Sequence, residues 1–387
     1  MLSMLRGQLE SDTVRILHVL PTRDPAFGGP VSTTLALAEA SARSGQQVSI
    51  DPAVDGEGFG RGLAFLPSAG RIRGLSNAVG SHDVVMLHGL WSLSNSVAAE
   101  LCRRAGTPYL ITPHGMLDRW SMRRRAWKKH LYARILQRRD LDRAAGIRFL
   151  NDEELTEARE FGLRAPTFVL ANGISVSDVL EHRPRTDRES ALYELRDRTV
   201  GLFLGRLHPK KGLGILLAGL RQARRTCPDL HIVIAGPDEG GHRHQVERWV
   251  SEFDLKQSVT LTGMVRGESR SNLLREADFF VLPSFQEGDS SALKEALAAG
   301  LPALITTACH FSELSEWGAG LVVQPDAAAI AAGLVQLASD PLARQSMGQR
   351  GRTRIIERFM WERIACDFSD VCLDVLAGSL RSSAWRL

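Results

Sequence analysis

Short apolar runs alternate with longer amphipathic stretches along most of the chain, from about residue 14 to about residue 340. The apolar runs are rich in β-branched residues and have the length of buried strands, whereas the stretches between them have the length of helices. This alternation predicts βαβ units and parallel sheets. Eleven candidate strands are too many for one compact doubly wound sheet of ordinary size. They are Val14–Leu20, Val84–Leu87, Tyr109–Thr112, Gly146–Leu150, Phe168–Ala171, Val200–Leu204, His231–Ala235, Val259–Thr262, Phe279–Leu282, Ala303–Thr306 and Leu321–Val323.

A charged stretch interrupts the strand pattern between Ile174 and Thr199, and a new strand, glycine and helix series begins at Val200. We therefore predict two Rossmann-like domains, residues 1–180 and 181–360. Open parallel sheets bind ligands outside the carboxyl ends of their strands. Two such domains facing each other would form one interdomain cleft.

Composition narrows the class of protein. The chain has 387 residues, of which 44% are hydrophobic and 24% charged, so it is neither a disordered nor a fibrous protein. A net charge of +4 is too small to indicate nucleic-acid binding. The five cysteines are scattered without a C-x-x-C pair, which favours a reducing compartment over a zinc cluster or a disulfide framework. The apolar runs are too short for a membrane span and the N-terminal residues are too polar for a signal peptide, so we expect a cytoplasmic protein.

Two features of the first half suggest a ligand. Gly28 and Gly29 follow the first strand, and Pro30 is placed to begin a helix, so backbone N–H groups could approach a phosphate or sugar. A tight turn without a ligand is an equal alternative. Two strands end in His-Gly: we expect His88 to be a structural imidazole, whereas the Thr-Pro-His-Gly setting of His114 favours a functional role.

The second half opens with VGLFLGRLHPKKG, which places two cations at a strand-to-helix junction. Arg206 follows the strand directly, and Lys211 precedes a glycine and a leucine-rich helix. A forked guanidinium and a point-charge ammonium beside a glycine-bounded loop suit the several anionic oxygens of a diphosphate. Surface cations are common, so the position of these two, more than their charge, indicates the site.

The strongest signal is the segment ADFFVLPSFQEGDSSALKEALAAG. Glu287 lies in the loop after a strand, and a serine N-cap would place Glu295 in the first turns of the next helix. Two carboxylates at this spacing can bind two different groups of hydroxyls on an extended ligand. A glycosidase acid and base pair is the alternative, but the neighbouring cations and helix N-terminus fit a phosphate-bearing leaving group better.

Together these motifs resemble family 4 of the retaining glycosyltransferases, whose members have the GT-B fold. The resemblance rests on the Glu-x7-Glu motif, the GRLHPKKG segment, the Gly-Gly loop and the Pro-His-Gly turn, and it extends over nearly the whole chain. It implies an α/β architecture of two Rossmann-like domains, with residues 361–387 forming a helix and tail that pack back on the N-terminal domain. The N-terminal domain would be the acceptor side and the C-terminal domain the donor side.

The resemblance also implies roles for individual residues. Arg206 and Lys211 would hold the donor diphosphate and neutralise the charge that develops on the leaving phosphate, Glu295 would bind the ribose, and Glu287 would hold the transferred sugar. His114 would lie near that sugar. Other donor-binding residues would come from the two loops that precede helices: Gly28, Gly29, Gly288, Asp289, Ser290 and Ser291.

Transfer by this family proceeds with retention of the anomeric configuration, commonly attributed to front-face attack, and needs neither a dedicated base nor a metal. Preorganised cations and helix ends would stabilise the separating charges. Asp140-Leu141-Asp142 has the spacing of a metal motif of another glycosyltransferase fold, but it lies in a helical stretch where we expect a solvated face. Asp289 stands where many members have phenylalanine, which leaves the identity of the sugar open and makes Asp289 a candidate specificity contact.

Basic residues concentrate between Arg119 and Gly146, in a stretch whose apolar residues share one helical face. Such a helix suits an anionic membrane surface or an acceptor; the alternative is a core-facing helix with a solvated basic side. The candidate contacts are Arg123, Arg124, Arg125, Lys128 and Lys129.

We therefore predict a metal-independent hexosyltransferase, peripheral at the cytoplasmic face of the membrane, that uses a UDP- or GDP-sugar donor and a glycan or polyprenyl-linked glycan acceptor in polysaccharide biosynthesis. A sugar-nucleotide 2-epimerase and a non-catalytic nucleotide-sugar-binding subunit of a polysaccharide assembly complex are the alternatives. Nucleic acid is not an expected partner.

Overall fold

A computed structural model describes residues 13–22, 29–52, 68–117, 137–175 and 192–382. The chain divides into two compact units: Met1–Gly173 together with Trp361–Leu387, and Ile174–Met360. We call them the first and the second unit. The boundary predicted at residue 180 lies outside the described residues.

The first unit is built on a six-stranded sheet in the order β2-β1-β3-β4-β5-β6, in which every pair of neighbours is parallel. Its strands are β1 (Arg15–Leu20), β2 (Gln47–Pro52), β3 (Val84–His88), β4 (Tyr109–Thr112), β5 (Gly146–Phe149) and β6 (Thr167–Val169). Its helices are α1 (Gly29–Arg43), α2 (Ala69–Ser81), α3 (Leu93–Ala105), α4 (Arg138–Asp142) and α5 (Asp152–Ala158), followed by a 3₁₀ turn at Arg159–Phe161.

Successive side chains of a strand point to opposite sides of the sheet. Each side of this sheet packs against its own apolar cluster. In β1, Leu17 and Val19 belong to one apolar cluster, whereas Ile16 belongs to the other. The second cluster includes the apolar face of the last helix, which packs beside α1. That helix, Trp361–Leu376, therefore completes the core of the first unit although it comes from the end of the chain.

The second unit has a six-stranded sheet in the order β12-β11-β10-β7-β8-β9, again parallel throughout. Its strands are β7 (Thr199–Leu204), β8 (Leu230–Ala235), β9 (Val259–Gly263), β10 (Phe279–Leu282), β11 (Ala303–Thr306) and β12 (Gly320–Val323). Its helices are α6 (Leu213–Ala223), α7 (His242–Glu252), α8 (Gly267–Glu276), α9 (Ser291–Ala298), α10 (Glu313–Glu316), α11 (Ala327–Ser339) and α12 (Pro341–Phe359), with 3₁₀ turns at Tyr193–Leu195, Pro209–Lys211 and Thr307–Cys309. The last helix of the chain, in the first unit, is α13.

The predicted α/β class with two doubly wound parallel sheets is confirmed. The sequence pattern missed β2, because this edge strand has the sequence QVSIDP and alternates with polar residues instead of forming an apolar run. Among the described residues, none of the helices combines the length and the apolar character needed to cross a membrane.

The strand orders identify where each sheet should bind a ligand. The chain moves outward in one direction from β7 through β8 to β9 and then begins again on the other side of β7 with β10. The loops after β7 and β10 therefore diverge at a topological switch point, the usual ligand position in such sheets. In the first sheet the corresponding point lies between β1 and β3.

Candidate active site

The loop after β7 carries the two predicted cations. Arg206 follows this strand closely, and Lys211 ends the 3₁₀ turn Pro209–Lys211. The His208 ring accepts a hydrogen bond from the Lys210 backbone N–H through Nδ1 at 3.1 Å, which caps this turn. The loop is also joined to the one after β10, since the Phe285 N–H donates to the Lys210 carbonyl at 2.7 Å. The two loops of the switch point thus form one structure.

Gly212 allows this close approach. Its φ of +68° lies in the left-handed region, and a Cβ at this position would lie 1.9 Å from the Pro283 carbonyl oxygen. A side chain there would be strained by the backbone and would also collide with the other loop. Gly212 is therefore needed for the shape of the loop.

Lys211 and Glu287 form an ion pair between the two loops. The Lys211 Nζ donates to Glu287 Oε1 at 2.5 Å, and the Ser284 hydroxyl donates to the same oxygen at 2.5 Å. The two side chains are only 12% and 7% exposed. The structure thus brings together the predicted diphosphate-binding cation and the predicted sugar-binding carboxylate.

Arg206 is exposed and forms an ion pair with Glu239 at 2.9 Å. Glu239 lies in the loop after β8. This loop runs beside the loop after β7, and the Leu207 N–H donates to the Pro237 carbonyl at 2.8 Å. Gly236 permits this pairing, since a Cβ there would lie 1.8 Å from a backbone oxygen of Gly205. Glu239 was not predicted from the sequence, although its position just after a strand end was an available signal.

Lys210 adds a third cation to this region. It is partly exposed, and its pKa is lowered from the ordinary value, chiefly by burial, while nearby Glu287 opposes the shift. The loop after β7 thus contains three basic side chains, and the acids Glu239 and Glu287 flank it.

The helix after β10 begins as predicted. Ser290 is the N-cap of α9, and its hydroxyl accepts a hydrogen bond from the Leu293 N–H at 3.3 Å. Ser291 is the first helical residue, and Gly288 has open space where a Cβ would be. Glu295 lies in the second turn and forms an ion pair with Arg270 of α8.

Asp289 has a partner that the sequence analysis did not identify. Its carboxylate lies 2.5 Å from the Nζ of Lys294, whose side chain is only 1% exposed. The Lys294 ammonium also lies 4.5 Å from the centre of the Phe359 ring. This buried pair connects the loop to α9. A lysine within the otherwise apolar helical sequence SALKEALA was the available signal.

In the first unit, His114 follows β4 in a turn where its φ is +54°, which is unusual for a residue with a side chain. The buried Glu154 stabilises the turn by accepting from the Gly115 N–H at 2.6 Å. His114 is partly exposed, and its Nε2 lies 3.1 Å from Nδ1 of His88. His88 is buried and hydrogen-bonded, as expected of a structural imidazole.

The structure describes only one of the residues predicted for donor binding through the Gly-Gly loop and for membrane contact. Gly29 is the first residue of α1, one position before the predicted start. Gly28 lies outside the described residues, and so do Arg123, Arg124, Arg125, Lys128 and Lys129.

The expectation of a solvated face at Asp140 is wrong. Asp140 is buried, and its carboxylate lies 2.8 Å from Arg103 of α3. Burial raises its pKa from the ordinary value, although the arginine opposes the shift. Asp142 forms a separate ion pair with Arg138 at 2.8 Å. The two aspartates thus have different arginine partners, because the helical spacing turns them to different neighbours.

The second unit therefore offers cations for a diphosphate and carboxylates for hydroxyl groups at the switch point of its sheet. The amides at the N-terminus of α9 add a positive dipole end. These groups can bind an anionic leaving group and a polyol that are parts of one molecule.

Comparison with known proteins agrees with this chemistry. The family model described as "Glycosyl transferases group 1" matches residues 186–354, and the one described as "Glycosyl transferase 4-like domain" matches residues 28–173. The chain is therefore a glycosyltransferase. It belongs to family 4 of the GT-B glycosyltransferases, since the two models match its two units.

Two similar relatives act on lipid-linked acceptors according to their names. A GDP-mannose-dependent alpha-(1-6)-phosphatidylinositol monomannoside mannosyltransferase of Mycolicibacterium smegmatis is 25% identical over 84% of this chain and 83% of its own length. The GDP-mannose:cellobiosyl-diphosphopolyprenol alpha-mannosyltransferase of Xanthomonas campestris is 24% identical over 92% of this chain and 96% of its own.

Solved structures show the same fold. The HepE protein of Anabaena, determined in complex with UDP and glucose, superposes with a TM-score of 0.74 at 18% identity and covers 92% of this chain and 99% of its own. Sucrose-phosphate synthase of Thermosynechococcus elongatus has a TM-score of 0.71 at 20% identity, with coverage of 95% and 100%.

Proposed function

We propose that this glycosyltransferase transfers a hexose from a nucleotide diphosphate sugar to a glycan or lipid-linked glycan, with retention at the anomeric carbon. The observation that carries the proposal is the Lys211–Glu287 pair at the switch point of the second sheet. Cleavage of the bond between sugar and phosphate creates negative charge on the phosphate and positive charge on the sugar. An ammonium and a carboxylate side by side match that separation of charge.

We assign the individual roles as follows. Lys211 and Arg206 bind the diphosphate, Glu287 contacts the transferred sugar, and Glu295 binds the ribose. In the first unit, His114 donates a hydrogen bond to the substrate. The loop Gly288–Ser291 and Gly29 provide backbone contacts, and Gly28 is a further backbone contact outside the described residues.

The ion pairs within the site have a consequence for binding. Lys211, Arg206 and Glu295 each have a charged partner within the second unit: Glu287, Glu239 and Arg270. A donor must exchange these contacts for its own phosphate oxygens and hydroxyls. Donor affinity should therefore depend on how readily the ion pairs rearrange.

GDP-mannose and UDP-glucose are the donors to test first. The names of the two lipid-acceptor relatives specify GDP-mannose, and HepE was solved with UDP and glucose. Thermal unfolding should be measured with UDP-, GDP- and ADP-sugars, because a ligand of the native state alone stabilises it by about 2.7 kcal/mol at 100 times its Kd. Stabilisation by none of these donors would contradict the proposal.

Product analysis distinguishes transfer from isomerisation. The reaction should release the nucleoside diphosphate and add one hexose to an acceptor, and chelation of divalent metals should not abolish it. A new nucleotide sugar formed without acceptor would instead identify a 2-epimerase. Donor binding without either reaction would identify a binding subunit.

We propose a lipid-linked acceptor and a peripheral position at the cytoplasmic face of the membrane. The acceptors named for two relatives support this, together with the basic amphipathic sequence from Arg119 to Gly146. Vesicles containing anionic lipid should sediment with the protein. Equal sedimentation after neutralisation of Arg123, Arg124 and Arg125, or with neutral lipid alone, would contradict electrostatic binding.

A further inference from the structure

Three histidines form a continuous hydrogen-bonded series in the first unit. His18 of β1 contacts His88, the last residue of β3, with 2.9 Å between Nδ1 and Nε2. His88 Nδ1 in turn lies 3.1 Å from His114 Nε2. The neighbouring rings are stacked, with centroids 5.2 and 5.4 Å apart. His18 and His88 are buried, whereas His114 is partly exposed, so the series leads from the core to the surface.

Thr34 of α1 fixes the direction of these hydrogen bonds. Its hydroxyl donates to the Pro30 carbonyl at 2.7 Å, and this contact uses its only proton. The same oxygen lies 3.0 Å from His88 Nδ1 and can only accept there. His88 must therefore carry its proton on Nδ1.

The tautomers of the other two rings follow. A neutral His88 with a proton on Nδ1 has a bare Nε2, which accepts from His18 Nδ1–H. His18 Nε2, which has no hydrogen-bond partner among the described residues, is then bare. His88 Nδ1–H is shared between Thr34 and His114 Nε2, so the ring proton of His114 is on Nδ1.

The surroundings keep this series neutral. Burial lowers the pKa of His18 to about 3, and the loss of water around its ring also lowers the pKa of the partly exposed His114; the charge of Arg148 adds to both shifts. The pKa of His88 is also well below its ordinary value, for the same principal reason. At neutral pH each of the three rings is therefore neutral and carries one N–H proton.

We propose that Thr34, His88 and His18 are positioning residues that hold His114 as the Nδ1–H tautomer, so that it presents a hydrogen-bond donor to the substrate and does not act as a base. The proposal rests on the proposed function, in which His114 contacts the substrate. An Nδ1–H group can donate to a sugar hydroxyl or to a phosphate oxygen. Its Nε2 is already occupied by His88 and cannot accept a proton from an acceptor hydroxyl.

The tautomer can be measured without any substrate. Nitrogen-15 NMR of histidine-labelled protein distinguishes protonated from bare ring nitrogens, and the signals can be assigned by replacing each of the three histidines in turn. We expect the proton on Nδ1 in all three rings of the wild type. A proton on Nε2 of His114 would overturn the proposal.

The role of Thr34 is tested by Thr34→Val, which keeps the branched shape and removes the hydroxyl. Without the acceptor at His88, His114 should populate its Nε2–H form, and kcat/KM for sugar transfer should fall about tenfold, the factor of one hydrogen bond. Thr34→Ser should restore both the Nδ1–H tautomer of His114 and the wild-type kcat/KM. Thr353→Val is the matched control, because Thr353 of α12, in the second unit, also donates to the carbonyl four residues earlier, at 3.1 Å.

The outcomes separate the two proposals. If Thr34→Val leaves all ring tautomers unchanged, Thr34 does not position His114 and the inference is wrong. Predicted tautomers in a wild-type protein that transfers no sugar would support the positioning assignment and contradict the proposed function.

Discussion

Replacement of Lys211 by methionine separates the two roles of this side chain, which are to stabilise the protein and to bind the donor. The variant leaves the Glu287 carboxylate, which is 7% exposed, with the Ser284 hydroxyl but without its cation. Loss of one partner from a buried ion pair costs about 3–5 kcal/mol, and the remaining hydroxyl places the expected loss near 3 kcal/mol. Chemical denaturation should measure it.

The double variant Lys211→Met/Glu287→Gln isolates donor binding from stability. It removes both charges, so most of the lost free energy of unfolding should return. Affinity for the free nucleoside diphosphate should nevertheless remain about 10- to 100-fold below that of the wild type, since a hydrogen bond to a charged group contributes roughly 1.5–3 kcal/mol. Isothermal titration with UDP and GDP measures this affinity without depending on the acceptor.

Glu287→Gln alone completes the comparison. It frees Lys211 from its intramolecular partner, so the nucleoside diphosphate should bind more tightly, whereas sugar transfer should decrease. Binding of nucleoside diphosphate by the double variant with wild-type affinity would contradict the role of Lys211 in donor binding. Sugar transfer at the wild-type rate by Lys211→Ala would refute it equally.

Further predictions concern packing and pH. Gly212→Ala should destabilise the protein by more than about 2 kcal/mol, because the left-handed backbone alone costs roughly 1–2 kcal/mol and the Cβ would collide with a carbonyl, whereas Gly240→Ala, with similar φ and open space, should show only the backbone cost in denaturation. Lys294→Met should lower the free energy of unfolding by about 3–5 kcal/mol, because it leaves the buried Asp289 carboxylate without its cation. Adding Asp289→Leu should recover most of this loss. No recovery would show that the loss does not come from the unpaired carboxylate. His18 has a pKa near 3, so below its unfolded value of 6.5 only the unfolded chain binds this proton, and stability should fall by about 1.4 kcal/mol per pH unit as pH decreases. Denaturation between pH 7 and 5 should show a shallower slope in His18→Leu; an unchanged slope would contradict the assignment.

Much of the fold could be predicted because most of its strands are buried on both faces and are therefore apolar runs. The edge strand β2 lacked this property and was missed. The Ser290 cap was predictable, because capping depends on residues close together in sequence. The start of α1 at Gly29 was predicted within one position.

The partners of the site residues were much harder to predict. Glu239 pairs with Arg206 only because two loops run side by side, and Asp289 pairs with Lys294 inside the protein. Such contacts depend on how loops and helices pack in the folded chain. The pattern of hydrophobic and polar residues along the sequence carries little information about this packing. Asp140 shows the same limitation, since a solvated face was expected and a buried ion pair was found.

The series of histidines was also hidden in the sequence. His18, His88 and His114 lie far apart along the chain and meet because β1, β3 and β4 are neighbours in the sheet. Taken alone, the buried His18 and His88 have ordinary structural explanations. Only the Thr34 contact shows that the series has a direction.

The most direct test of the central claim is mass spectrometry of the products formed from GDP-mannose, UDP-glucose and ADP-glucose with a membrane-lipid extract as acceptor. We predict that at least one donor releases its nucleoside diphosphate in proportion to the hexose gained by an acceptor, and that Lys211→Met/Glu287→Gln abolishes both. Conversion of a donor without any acceptor product, or no reaction with any of the donors, would contradict the account.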